Sequence, residues 1–150
     1  MINYLYPMLL VLLLWQCNDK DIEPHNKQVN FGETFTFKQG EEVVIVGEGE
    51  DLLLQLYSIN DSRCPTDAIC VWLGNATVIL KASNTQEKEK ELQMCIGDCR
   101  PEPARTKHIL SAIVGGVDYK ITLKEVSPYP ALKESNQVKQ VKLVVERDSQ

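Results

Sequence analysis

Apolar side chains alternate with polar ones along most of this chain. Ala76, Val78 and Leu80 occupy every second position of one segment, with Thr77 and Lys81 on the opposite face. A period of two places alternate side chains on one face of a strand, and no segment of the chain beyond residue 30 sustains the period of an α-helix. The pattern therefore predicts an all-β fold in which one face of each sheet is buried.

Short segments with this character recur at a regular spacing, separated by turn-rich pieces such as GEGE and PYP. They lie at 31–37, 43–46, 52–59, 76–82, 92–94, 108–114, 118–126 and 141–147. Seven or eight short strands at such a spacing are typical of an antiparallel β-sandwich, immunoglobulin-like in type, or of a β-barrel. A chain of 150 residues has room for one such domain, which we expect to occupy residues 31–150.

The first sixteen residues form an uncharged apolar run that stops at Cys17. As a helix, the run from Ile2 to Trp15 would reach about 21 Å, less than the roughly 30 Å hydrocarbon core of a bilayer. Because polar chain follows at once, residues 1–16 are interpreted as a cleaved export signal peptide. The alternative is a buried N-terminal helix in which Cys17 is an ordinary apolar residue.

An apolar run that ends directly before a cysteine resembles the lipobox of bacterial lipoproteins. Leu14 suits that pattern, whereas Trp15 and Gln16 are bulkier than its usual small residues, as in the looser lipoboxes of Bacteroidetes. The resemblance implies that Cys17 is acylated with fatty acids such as palmitate and anchors the chain in the outer membrane, at the periplasmic face or the cell surface. Residues 17–30 would then be the lipidated cysteine and a flexible, charged tether.

Four cysteines remain in the domain: Cys64, Cys70, Cys95 and Cys99. Export would place them in an oxidising compartment, where disulfides persist. Of the three pairings, the two local ones are favoured because each encloses residue types that form turns, although this argument leaves a long-range pairing open. A four-cysteine zinc site is the alternative. Structural zinc usually has two to four residues between paired thiolates, and the first pair here is more widely spaced.

The first two of these cysteines belong to a longer motif. It reads Asp61-Ser62-Arg63-Cys64-Pro65, then four residues, then Cys70-Val71-Trp72-Leu73-Gly74-Asn75-Ala76. This pattern resembles the motif D-S-R-C-P-x4-C-x-W-x-G-x-A of a family of uncharacterised bacterial lipoproteins, many of them from Bacteroidetes. The segment 117–130 is similar to that family's closing strand and proline-containing turn. The resemblance covers roughly Gly47 to Val145 and implies an envelope lipoprotein, without implying an activity.

Each residue of the motif suits a structural role. Asp61 and Ser62 are expected to bond nearby backbone groups and fix a turn, and Arg63 to pair with a carboxylate or donate to carbonyl groups. Trp72 is predicted to pack over the disulfide as in immunoglobulin cores, so that Trp72→Ala would cost about 2–5 kcal/mol. Gly74 permits a bend before the next strand. Alternatively, Asp61, Arg63 and Trp72 line a ligand groove.

The chain offers little for catalysis. Of its two histidines only His108 lies in the domain, and no nucleophile, phosphate-loop, zinc-protease or EF-hand motif occurs. Carboxylates at 41–42, 48–51 and within 87–91 are interpreted as exposed turn charges, although a glycosidase or a calcium site would also use such groups. A net charge of −5 argues against nucleic-acid binding.

We therefore expect a monomeric, non-catalytic module without cofactor or metal, which binds the membrane through its lipid and either binds an unidentified protein or glycan partner or stabilises the envelope. Two alternatives remain. A carboxylate-dependent hydrolase should hold two carboxylates about 5 to 9.5 Å apart in a concave pocket. A peptidase inhibitor should present protruding apolar loops at one end of the sandwich, and a binding module should expose an aromatic groove.

Overall fold

The structure is a computed structural model that describes residues 27–133 and 136–148. Cys17, the predicted signal peptide 1–16 and the tether up to residue 26 lie outside the described residues. No helix long and apolar enough to cross a membrane occurs among the described residues. The described part of the chain forms nine strands: β1 (Lys27–Asn30), β2 (Thr34–Lys38), β3 (Glu42–Val46), β4 (Leu52–Asp61), β5 (Asn75–Ser83), β6 (Lys90–Gly97), β7 (His108–Val114), β8 (Val117–Ser127) and β9 (Gln140–Arg147).

The strands form two sheets that share one core and do not close into a barrel. The larger sheet has the order β1-β3-β4-β5-β6, and the smaller has the order β2-β9-β8-β7. Neighbouring strands are antiparallel except β1 and β3, which run parallel because the chain crosses to the other sheet as β2 between them. The predicted β-sandwich is therefore confirmed, and the barrel alternative is wrong.

The alternating pattern builds the core from the inner faces of both sheets. In β5, Ala76, Val78 and Leu80 are fully buried, and the residues between them lie on the outer face. The smaller sheet contributes large buried side chains that include Phe37 and Tyr119. Each fully buried side chain of this size stabilises the fold by about 1.5–3 kcal/mol, so the packed inner faces hold the two sheets together.

Strand β1 corrects the predicted start of the domain. Residues Lys27–Asn30 belong to the predicted tether, but they pair in register with residues 43–46 of β3. The reason is Val29, which is 5% exposed and joins the core. A single apolar residue among polar neighbours produces no alternating pattern, so the sequence carries no signal for this ninth strand.

Direct hydrogen bonds join β6 to the start of β7, where the two sheets meet along one side of the sandwich. The N–H of Cys95 donates to Nδ1 of His108 over 2.9 Å. Gly97 and Arg105 exchange two main-chain hydrogen bonds of 2.7 and 2.9 Å. This seam holds the loop between β6 and β7 against the sheets.

Candidate functional site

Three loops meet at one end of the sandwich: 62–74 between β4 and β5, 98–107 between β6 and β7, and the described parts, 128–133 and 136–139, of the connection between β8 and β9. Their main chains are joined directly. The N–H of Thr66 donates to the carbonyl of Pro130 over 3.1 Å, and the N–H of Asp98 donates to the carbonyl of Gly74 over 2.8 Å. Loops that a rigid sheet holds in this way often carry binding residues, so we take this loop end as the candidate site.

A buried cluster of charges lies beneath the first loop. Nε and Nη2 of Arg63 donate to the two carboxylate oxygens of Asp61 over 2.8 and 2.7 Å, and Nζ of Lys139 donates to the same carboxylate over 2.6 Å. The Asp61 and Arg63 side chains are only 3% and 8% exposed. Burial by itself raises the pKa of Asp61, but hydrogen bonds from Arg63 and Lys139 outweigh it and hold that pKa below its usual value. We call these three residues the Asp61 cluster.

The Asp61 cluster connects the two sheets. Nη2 of Arg63 also donates to the carbonyl of Val126 in β8 over 2.8 Å, and the ring of Tyr129 covers the guanidinium at 4.1 Å. Lys139 donates in addition to the carbonyl of Pro128 over 2.7 Å. Arg63 therefore fulfils both of its predicted roles, since it pairs with a carboxylate and donates to a carbonyl group.

Ser62 and Gly74 fix the base of loop 62–74. The Ser62 hydroxyl donates to the carbonyl of Asn75 over 3.1 Å and accepts from the N–H of Asn75 over 3.3 Å. Gly74 has a φ of 67°, and a Cβ at this position would overlap the carbonyl oxygen of Ser62. Only glycine fits such a place, so the bend predicted at Gly74 is confirmed.

A disulfide closes the tip of this loop. Cys64 and Cys70 are joined, with their Cα atoms 5.9 Å apart, and the carbonyl of Pro65 accepts from the N–H of Ala68 inside the ring. The second disulfide joins Cys95 to Cys99. These are the two local pairings that the turn argument favours. All four sulfurs take part in S–S bonds and are not arranged as zinc ligands.

Four large apolar side chains project from the end of the disulfide ring and from the three residues that follow it. Ile69 and Val71 are fully exposed, Leu73 is 69% exposed and Trp72 is 55% exposed. We call these four residues the apolar loop. Adjacent exposed side chains of this kind differ from the scattered single ones of an ordinary surface, and contiguous apolar patches mark interaction sites.

The structure does not place Trp72 where the sequence predicts it. Residues 70–74 form no strand, and β5 begins only at Asn75, so Trp72 and Cys70 do not share a strand face. The two sheets meet through aliphatic and aromatic side chains of the strands, and neither disulfide joins them. The prediction that Trp72 packs over the disulfide as in an immunoglobulin core is therefore wrong.

Trp72 instead lines an open cleft of about 570 Å³ over the outer face of β5 and β6. Most of the other residues that line the cleft are polar: Asn75, Thr77, Gln93, Asp98, Arg100, Glu102, Arg105 and His108. Strand register brings the first of them together, because Thr77 lies opposite Cys95 and Asn75 lies opposite Gly97. Loop 98–107 forms the far wall.

The charged side chains of the cleft pair with one another. Arg100 donates to Asp98 over 2.8 Å, and Arg105 pairs with Glu102. The hydrogen bond to Asp98 raises the pKa of Arg100. The two pairs sum to zero formal charge. Each of these carboxylates is held by a neighbouring guanidinium of its own loop and does not face the cleft alone, so the pair gives no support to the hydrolase alternative.

His108 is held as a neutral ring of one tautomer. Because Nδ1 accepts the N–H of Cys95, the ring proton lies on Nε2. Burial lowers the pKa of His108, and the positive charge of Arg105 lowers it further. The Nε2–H of His108 is therefore a fixed hydrogen-bond donor in the wall of the cleft.

Carboxylates outside the loop end hold turns and exposed surfaces. Glu41 accepts from the N–H of Lys38, and Glu87 accepts from the N–H of Gly115, both over 2.8 Å. Glu89 pairs with a lysine of β5. Within 27–133 and 136–148, no group of three or more histidine, cysteine or acidic residues is arranged to hold a metal ion.

The ligand groove predicted from the motif is only partly formed. Trp72 lines the cleft, Arg63 lines a smaller hollow of about 250 Å³ beside it, and the Asp61 side chain is buried. The sequence gives no sign of the other polar residues of the cleft or of Lys139. They come from segments that are distant along the chain, and only strand register and loop packing bring them together.

Comparison of the chain with protein-family models, with curated proteins and with solved structures finds no match. Function is therefore inferred from the geometry of the loop end and from the sequence.

Proposed function

We propose that this protein is a non-catalytic binding module of the bacterial cell envelope, which contacts a partner protein through its apolar loop. The observation that carries the proposal is the exposure of Ile69, Val71, Trp72 and Leu73 on both sides of Cys70, whose disulfide to Cys64 restrains the loop. Burying such side chains against a partner would gain roughly 25 cal/mol per Å² of apolar surface, less the cost of association.

The base of the apolar loop supports a binding role because the loop is restrained before any partner arrives. The disulfide closes the ring from Cys64 to Cys70, and the Asp61 cluster holds the start of loop 62–74. The N–H of Leu132 donates to the carboxylate of Asp67, inside the ring, over 2.8 Å. A restrained loop loses less conformational entropy on binding than a mobile one. This is the arrangement expected of a recognition loop on a rigid scaffold.

The place of action is proposed from the sequence. The apolar run 1–16 ends directly before Cys17, and the motif that begins at Asp61 resembles that of envelope lipoproteins. In this proposal Cys17 carries the lipid, the chain is a monomer on the outer membrane, and the residues before β1 connect the lipid to the domain. Anchoring would concentrate the loop end near partners in the same envelope.

One observation favours a second candidate, a peptidase inhibitor. Such a protein should present protruding apolar loops at one end of a sandwich, and the apolar loop has this position. The chain at Ile69 would also resist cleavage, because it lies inside the disulfide ring and a restrained segment does not readily adopt the extended form that a peptidase requires.

Cross-linking in the native host tests the proposal. Intact cells that produce the protein are treated with formaldehyde, and its adducts are detected with an antibody against the domain. We expect discrete adducts that disappear in the variant Ile69→Ser/Val71→Ser/Leu73→Ser. The matched control is Ile109→Ser/Ile113→Ser, because these two side chains of β7 are similarly exposed, at 49% and 53%, outside the loop end.

The same variants decide between the two candidates. Adducts that persist unchanged in the triple serine variant would refute binding through the apolar loop. Inhibition of papain or trypsin by the purified protein, lost in the triple variant and kept in the control, would instead establish the inhibitor.

A further inference from the structure

We infer that the cleft beside Trp72 binds an uncharged glycan chain, with one pyranose ring against the indole and its hydroxyl groups against the polar wall. This inference goes beyond the proposed function, because the polar residues of the cleft carry it and the tip of the apolar loop does not. Only Trp72 belongs to both surfaces.

The shape and size of the cleft suit an extended, polar ligand. Its volume of about 570 Å³ lies within the range of roughly 300–1,000 Å³ that small-molecule sites occupy. Sites for apolar ligands are lined mainly by hydrophobic side chains, whereas this wall is mostly amide, hydroxyl, carboxylate, guanidinium and imidazole. The cleft is open to solvent, so a chain longer than the cleft can extend beyond it.

The indole of Trp72 supplies the apolar part of the site. It is half-exposed at the mouth of the cleft, where a large flat apolar surface gains from contact with the C–H face of a ring. A pyranose has such a face and carries its hydroxyl groups around the edge. An apolar wall on one side and a polar wall on the other therefore match the two surfaces of a sugar ring.

The polar wall contains groups that are available to a ligand. His108 presents its Nε2–H, since Nδ1 is occupied by Cys95. Neither the Gln93 amide nor His108 Nε2 has a hydrogen bond to another described residue. Arg100 keeps most of its side chain in solvent while it is paired with Asp98. An amide and a paired guanidinium each offer more than one hydrogen-bonding atom in a plane, which suits neighbouring hydroxyl groups.

The charge balance favours an uncharged ligand. Asp98 with Arg100 and Glu102 with Arg105 give no net charge, and His108 is neutral. A phosphate or a nucleotide would need an uncompensated guanidinium, lysine or helix N-terminus, and both arginines here already have acidic partners. A nucleobase would also stack on Trp72, which makes a nucleotide the competing ligand to be tested.

Calorimetric titration of the purified protein with four neutral hexasaccharides and with AMP tests this inference. Cellohexaose, xylohexaose and maltohexaose represent plain polysaccharides, and chitohexaose represents the N-acetylated glycans of cell walls. We expect at least one hexasaccharide to bind, with the affinity about tenfold weaker in Trp72→Ala and in Gln93→Ala and largely kept in Trp72→Phe. Binding of chitohexaose would indicate an N-acetylated cell-wall glycan, and binding of the other three would indicate a plain polysaccharide.

The matched control is Tyr57→Ala. Tyr57 is 54% exposed, close to the 55% of Trp72, and lies in β4 outside the cleft. The Tyr57→Ala variant should bind the glycan with the affinity of the wild type. Thermal melting should show that every variant is folded. Failure of all four hexasaccharides to bind, binding that is unchanged in Trp72→Ala, or binding of AMP alone would overturn the inference.

Failure of this inference is distinguishable from failure of the proposed function. The variant Ile69→Ser/Val71→Ser/Leu73→Ser leaves the polar wall intact and should keep glycan binding while it loses cellular adducts. Adducts without glycan binding would overturn the glycan site alone, and glycan binding without adducts would refute only the protein partner.

Discussion

The guanidinium of Arg63 reaches the main-chain carbonyl of Val126 over 2.8 Å, across 63 residues of sequence and from one sheet to the other. The same nitrogen binds Asp61, so a single side chain joins the end of β4, the first loop and the end of β8. Because this contact is buried, the position of the loop end depends on a charged group that must keep its partner.

Removal of that partner should be severely destabilising. We expect Asp61→Ala to lower the free energy of unfolding by about 3–5 kcal/mol, because Arg63 would remain buried without its counter-charge. Urea denaturation followed by circular dichroism measures the change. The matched control is Glu125→Ala, which breaks an exposed pair with Lys142 and should cost about 0.2–1 kcal/mol. Equal costs for the two variants would contradict a special role of the Asp61 cluster.

His108 should make stability depend on pH below neutrality. Burial and then the charge of Arg105 lower its pKa in the folded state, so the unfolded chain binds a proton more readily. The contribution of the neutral His108 ring to the free energy of unfolding is complete above the pKa of the unfolded chain, about 6.5. It is lost as the pH falls through the lower pKa of the folded state. We expect the fall in Tm between pH 7.5 and pH 5 to be smaller in His108→Gln than in the wild type. An equal fall in Tm in the two proteins would exclude His108 as the source of the pH dependence.

Gly74 should tolerate no side chain. In Gly74→Ala the new Cβ meets the main chain of Ser62 at a φ of 67°, and we expect a loss of roughly 3 kcal/mol or more. Gly116→Ala is the control, because Gly116 also has a positive φ, 79°, but has open space around it. That variant should lose only about 1 kcal/mol, the cost of backbone strain. Similar melting curves for the two variants would show that the close approach at Gly74 is unimportant.

The first disulfide and Trp72 should differ in their effects on stability. The chain-entropy model gives about 2 kcal/mol for a loop as short as that between Cys64 and Cys70, and we expect this loss in Cys64→Ser/Cys70→Ser. Trp72→Ala should change stability by less than about 0.5 kcal/mol, because the side chain lies outside the core. Denaturant titration of both variants measures the difference. A large loss in Trp72→Ala would restore the packing role predicted from the sequence.

Lipid attachment should depend on one sulfur. In the native host we expect Cys17→Ala to move the protein from the membrane fraction to the soluble fraction, because in the proposed lipoprotein the acyl chains on Cys17 are the anchor. Fractionation with an antibody against the domain measures this, and the intact mass of the wild-type protein should show acylation at Cys17. Retention of Cys17→Ala in membranes would contradict the lipoprotein interpretation.

The strands follow from the sequence because their signal is local. Alternation such as that of Ala76, Val78 and Leu80 places a face in the core whatever the order of the strands in the sheets. The two disulfides are local for the same reason, since turn residues lie between the cysteines. Strand β1 has no such signal, because Val29 is its single core residue. The other residues of β1 pair with β3 through main-chain hydrogen bonds, which do not depend on side-chain type.

The candidate site depends on distant contacts, and the sequence predicts less of it. Ser62 and Gly74 act at the two ends of one loop, and Arg63 pairs with Asp61 two residues away, so the motif already suggests these roles. The position of Trp72 depends on where β5 begins, which a two-residue spacing from Cys70 does not determine. Lys139 reaches Asp61 from 78 residues away, and no feature of either local sequence requires that pairing.

The hydrogen bonds that join Cys95 to His108 and Gly97 to Arg105 have a consequence for self-association. β6 and β7 are outermost strands, and an outermost strand is where an extended segment of another molecule adds to a sheet. Here the N–H of Cys95 and both main-chain groups of Gly97 in β6 already have partners within the same molecule. An extended segment of a second copy would have to displace these partners before it could pair with that end of β6.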